Sequence, residues 1–239
     1  MDIQTSRVLG ILAASFTLLG AISTIITLLR LFLPNTAFNV FALGISAIIG
    51  VFGFLGFILF LLAMWGFSKS YAEKRIFNYP LYGLIILIVG FIVTMIILFA
   101  FLFSNLLSMV PRDSPPSVVQ DLITSVFQTY FPPFIIVFGL IGLVNSVLNV
   151  LAFNLLGTKS NVPLFKNGAK IMLLGQILSI IILPIFAYTF SYSVSDLNYS
   201  LLIALPGGIF NYVAWAIFAV AFFRIQVPSQ PPEYTVASV

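Results

Sequence analysis

The chain alternates between long apolar runs and short polar breaks, and six runs stand out, over residues 8–33, 38–67, 81–110, 132–157, 168–192 and 200–223. Within each run the apolar side chains are continuous. They lack the every-second-residue alternation of barrel strands, whose segments are about ten residues long. A helix crossing hydrocarbon needs about 20 such residues, or more if tilted. It also satisfies its backbone groups internally, as lipid demands. The pattern predicts an all-α, polytopic transmembrane bundle of six helices over residues 1–226. Residues 227–239 carry Pro228, Pro231 and Pro232 and little that could join a core, which predicts a flexible cytoplasmic tail. The first run is too long for the apolar part of a signal peptide, and no small-x-small cleavage site follows it. It reads as a retained span.

The break over 111–131 has a pattern of its own. Val118, Val119, Leu122, Ile123, Val126, Phe127, Tyr130 and Phe131 recur at helical spacing. Ser117, Gln120, Asp121, Thr124, Ser125 and Gln128 take the other face. Ser114 can cap its start, and Pro115 fits a first turn. This predicts one amphipathic helix in the outer interface, either a lid packed on the span ends or a gate over a cavity.

Charge orients the bundle. Arg7, Lys69, Lys74, Arg75, Lys159, Lys166, Lys170 and Arg224 fall on one side of the six spans, and Arg30 and Arg112 on the other. Cations gather on the cytoplasmic side. The chain is therefore expected in the cell membrane, multi-pass, with N- and C-termini cytoplasmic. Asn198-Tyr199-Ser200 is then a glycan acceptor sequence in the last outer loop. Composition agrees: apolar residues make up 61% and charged ones 7%, and the mean hydropathy is +1.19. So few charges cannot cover a water-soluble surface of this size. With no Cys and no His, thiolate catalysis, His-metal sites and His proton relays are excluded. The scattered cations form no nucleic-acid face.

A weak internal echo is present. Ile76-Phe77-Asn78 opens an apolar run that contains Leu84 and Gly90, and Leu164-Phe165-Lys166 opens one that contains Leu173 and Gly175. This suggests related hairpins, spans two–three and four–five, and falls short of a duplicated transporter repeat.

Four stretches taken in order carry a resemblance: LGILAASFTLLG at 9–20, FSKSYAEKRIFNYPLYG at 67–83, LFKNGAKIMLLGQIL at 164–178 and AWAIFAVAFFRI at 214–225. Together they resemble an archaeal family of small multi-pass membrane proteins catalogued as a domain of unknown function, number 996. The resemblance implies an archaeal membrane protein with no assigned activity, ligand or site residue. Some relatives end in a Cys-containing ribbon, which this chain lacks.

A polar group in hydrocarbon is costly unless paired, so function would show among the intramembrane polar residues. No Asp, Glu or Lys falls deep in a span. Arg30 and Lys170 sit at span ends, where they can snorkel. The candidate polar cluster is Asn145, Asn149, Gln176 and Asn211 on spans four, five and six. These amides serve either as interhelical glue or as the lining of a pocket for a small solute or lipid headgroup. Ala42, Ser46, Gly50, Gly53 and Gly56 form a small-residue ridge on span two that suits close packing or a lipid groove. Pro184 should kink span five. Trp65, Tyr79 and Tyr82 mark one interface and Tyr130, Tyr192 and Tyr199 the other, with Trp215 deeper in the bundle. Lys69, Lys74 and Arg75 in the loop over 68–80 determine topology, contact anionic lipid or dock a partner. The expected function is non-catalytic, structural or accessory to other membrane components. The alternative is a transporter or channel with an amide-lined site. No cofactor is implied, and the partners expected are membrane lipids and other membrane proteins.

Overall fold

The computed structural model describes the backbone over residues 1–32, 36–109, 116–189 and 197–226, and side chains over 1–26, 44–104, 125, 133–182 and 207–226. Six helices follow one another: α1 (Ile3–Phe32), α2 (Thr36–Ser70), α3 (Arg75–Met109), α4 (Pro116–Lys159), α5 (Leu164–Thr189) and α6 (Leu197–Phe223). No strand occurs among the described residues. Over their described residues α1 to α5 are long and apolar enough to cross a membrane, and α6 adds the apolar stretch Gly207–Phe223. The chain is an all-helical bundle of membrane-spanning character. Each helix packs on its chain neighbours and α6 returns to α1, so the six close a ring. The seam between α2 and α3 is the thinnest.

The end of the ring that carries the α2–α3 and α4–α5 loops is filled by aromatic rings. Phe60, Phe67, Phe153, Phe165, Phe218 and Phe222 are fully buried there. Phe153 and Phe218 stack with centroids 3.8 Å apart, and Trp215 stands edge-on to Phe60 at 5.5 Å. Trp215 thus packs inside the bundle, as its depth predicts. Ala63, Ala152 and Ala214, all at 0% exposure, give the rings room. Lipid tails are as apolar as these side chains, so close packing rather than water exclusion holds them, each ring pair contributing about 0.5–1.5 kcal/mol.

The segment over 118–130 is helical as expected, but it does not form a separate element. It is the first part of α4, which runs unbroken from Pro116 to Lys159. Pro132-Pro133, read above as the start of span four, lies inside that helix. Asn198-Tyr199-Ser200 falls in the first turn of α6 rather than in a loop. Arg112, Asp113, Ser114, Pro115, Tyr192, Asp196 and the tail over 227–239 lie outside the described residues. So do the side chains of Arg30, Ala42, Tyr130, Pro184 and Tyr199.

The two described loops are near copies. α2 ends at Ser70 and α4 at Lys159, and α3 begins at Arg75 and α5 at Leu164; both pairs are 89 residues apart. Each loop turns on one residue with positive φ, Ala72 at 50° and Asn161 at 56°. Behind it the next amide bonds back to the carbonyl five residues earlier: Glu73 to Ser68 at 3.0 Å and Val162 to Gly157 at 3.1 Å. That bond is the mark of a Schellman helix end. The following helix starts alike, Asn78 bonding to Lys74 and Asn167 to Pro163. The echo read from the sequence is therefore real in the backbone, but shifted by one: Ile76 corresponds to Phe165, and both are fully buried.

Candidate functional site

On α4 the spacing of Gly142, Asn145, Ser146, Asn149 and Phe153 places them on adjoining stripes of one helix face. The stripe descends to the aromatic floor at Phe153. Asn145 lies at the α3–α4 contact, its carboxamide oxygen pressed on Gly83, where a side chain would have no room. Asn149 Nδ2 donates to the Asn145 backbone oxygen at 3.0 Å and to Asn145 Oδ1 at 3.1 Å. Asn149 Oδ1 is buried and accepts no hydrogen bond among the described residues. Gln176 reaches from α5 across Gly142, its Nε2 standing 2.8 Å from where a Cβ would be. Asn211 is half-buried on α6. Its backbone nitrogen lies beside Gly175, where Gly207 also lets α5 and α6 approach closely.

The four amides are all partly buried. They do not meet at one point. Asn145 and Asn149 form a pair that faces α3 as well as the interior, Gln176 crosses the α4–α5 contact, and Asn211 belongs to α5–α6. No hydrogen bond joins Gln176 or Asn211 to the asparagine pair among the described residues.

Other polar pairs hold α1. Thr24 Oγ1 and Tyr212 Oη are 2.7 Å apart between α1 and α6, and Ser23 donates to Ser46 of α2 at 3.2 Å. Scattered hydroxyls one helix apart leave no signature in a single sequence, and these pairs went unread. Ser146, only 8% exposed, and Gly83 were also missed. The small-residue ridge is split. Ser46 is paired, and Gly56 sits 2.9 Å, at its Cβ place, from the Phe16 Cβ of α1, but Gly50 and Gly53 have nothing within 4 Å among the described residues.

The loop cations are differently engaged. Lys69 Nζ lies 3.6 Å over the Trp65 ring. Arg75 donates to both oxygens of Glu73, at 2.8 and 3.0 Å. Those hydrogen bonds hold the Glu73 carboxyl below the usual carboxylate range, and Lys159 of the other loop adds to the effect. Lys74 is exposed, as are Lys159, Lys166 and Lys170. Glu73 thus counters one of the three loop cations, Arg75, and Lys74 is the loop cation most open to an outside anion. Among the described residues no three carboxylates gather to hold a metal ion.

Over residues 52–187 the sequence matches the family described as protein of unknown function, DUF996. The chain belongs to this family. In this DUF996 protein the match begins in α2 and ends in α5, so it covers both copied loops, Asn145, Asn149, Gln176 and the loop cations Lys69, Lys74 and Arg75, but not Asn211. No curated protein and no solved structure matches the chain.

Proposed function

We propose that this DUF996 protein is a non-catalytic, multi-pass component of the cell membrane, structural or accessory to other membrane proteins. Both termini and both copied loops face the cytoplasm. The observation that supports this reading is the aromatic packing of Phe60, Phe153, Phe165, Phe218 and Phe222. It fills the loop end of the ring with close-packed side chains. Lys74 and Lys159 then lie where anionic headgroups gather, each cation worth about 1 kcal/mol near such a surface.

A second reading, a carrier for a small neutral solute or lipid, rests on one atom. Asn149 Oδ1 is a buried acceptor without a donor among the described residues, and such an atom costs about 1–3 kcal/mol unless something outside the protein bonds to it. Liposomes holding the purified protein separate the two readings. The accessory reading expects no flux of glycerol, urea or small sugars above protein-free vesicles. Flux that disappears in Asn149→Leu would replace it with the carrier.

A further inference from the structure

The two copied hairpins share their loops but not their packing. At the 89-residue spacing Gly50 corresponds to Gly139, Gly53 to Gly142, Ala63 to Ala152, Asn78 to Asn167 and Leu84 to Leu173. In α4–α5 the glycines are covered by the partner helix. Ile180 Cβ lies 3.8 Å from the Cβ place of Gly139, and the Gln176 amide lies over Gly142. In α2–α3 the equivalent Gly50 and Gly53 have nothing within 4 Å among the described residues. The residues of α3 that stand where Ile180 and Gln176 stand are Phe91 and Leu87. Both are exposed, at 51% and 39%, and the Phe91 ring leans 5.4 Å from Phe138 of α4 instead. From Ile85 to Val89 five successive residues of α3 are exposed, more than a full turn of helix. Above its loop, then, α3 has let go of α2.

The chain also supplies a cause. α3 carries Pro80 within the helix, fully buried, and the equivalent position in α5 is Ala169. Proline removes the bond to the carbonyl of Ile76 and crowds it, which bends a helix at that point. The hairpin is thus closed where this position is alanine and open where it is proline.

We propose that the α2–α3 seam is a lateral gate. It stands open to the bilayer in this structure, and it closes by a hinge at Pro80 into the packing that α4–α5 displays, with Phe91 seated on Gly50 and Leu87 on Gly53. The open gap lies within the apolar spans of both helices, where lipid acyl chains are the fluid that fills it.

The absence of cysteine from the chain makes the test direct. The Cβ separation at Gly139 and Ile180 matches the mean of a disulfide, about 3.8 Å. The reference pair Gly139→Cys/Ile180→Cys should oxidise to completion in liposomes, read by loss of maleimide-reactive thiols from the monomer band. The gate pair Gly50→Cys/Phe91→Cys should oxidise as well, about tenfold faster than Gly50→Cys/Ile92→Cys, whose second thiol is rotated out of reach. Adding Pro80→Ala should raise the gate rate about threefold or more, because straightening α3 favours closure. The gate is refuted if the reference pair forms and the gate pair stays reduced with and without Pro80→Ala. It is equally refuted if the off-face pair keeps pace with the gate pair. A reference pair that fails to form removes the template, and the proposal with it.

Discussion

At the scale of single residues, the amides and the Arg75–Glu73 ion pair make separable claims. Asn145 accepts from Asn149 along its own helix and meets α3 at Gly83. It should therefore act as weak glue: Asn145→Ala is expected to cost about 0.6–1 kcal/mol in equilibrium unfolding from micelles, near the mean for such contacts in membranes. A loss of several kcal/mol would mean that the pair does more than the contacts here provide. Glu73 makes a prediction about pH. Its folded carboxyl titrates below the unfolded value, so its contribution is present above the ordinary glutamate range and is lost as pH falls through the depressed value. A carbon-detected titration should find Glu73 ionised at a pH where a free glutamate is half protonated, and Arg75→Gln should remove most of the difference. The choice of the four amides was legible in the sequence because amides are conspicuous among apolar letters. Their division over three contacts was not, since Gly83 and Gly142, which seat Asn145 and Gln176, bear no polar atom in their side chains.

At the scale of elements, the two loops differ where chemistry says they should not. A left-handed residue costs about 1–2 kcal/mol unless it is Gly or a residue such as Asn that tolerates it. Asn161 suits its place and Ala72 does not. Ala72→Asn should stabilise the bundle by up to about 1 kcal/mol, and Asn161→Ala should destabilise it by a similar amount. Opposite signs from one assay would establish the equivalence of the loops in solution; equal signs would argue against it. The sequence hinted at this equivalence but set it one residue off, because the letters align Phe77 with Phe165 while the backbone aligns Ile76 there. The first part of α4 shows the converse error. Periodicity found the helix over 118–130 correctly, but Pro132-Pro133 was taken for its boundary. A helix among other helices can carry proline, since neighbours and small adjustments re-satisfy the freed carbonyls.

At the scale of the whole molecule, the ring is tight at one end and loose along one seam. Phe153 contacts Phe60, Phe165, Phe218 and Phe222 at the tight end. Phe153→Ala should cost about 2–3 kcal/mol, below the 3–5 kcal/mol of a water-soluble core, because in lipid the cavity remains but the transfer of apolar surface from water does not. Orientation has its own check. Single cysteines at positions 5, 70, 162 and 232 should react with an impermeant maleimide only after the membrane is opened, and those at 115 and 196 before it is. Labelling of 70 or 162 from outside would invert the bundle. The aromatic end has one more consequence, which light can read. The chain holds two tryptophans: Trp215 is enclosed by Phe60, Phe153 and Phe218, while Trp65 stands 38% exposed beneath a lysine. Their emission should separate by colour and by reach. Iodide in the buffer should dim the redder Trp65 signal and leave the bluer Trp215 signal untouched, so that one unmodified protein reports its membrane surface and its interior in a single spectrum.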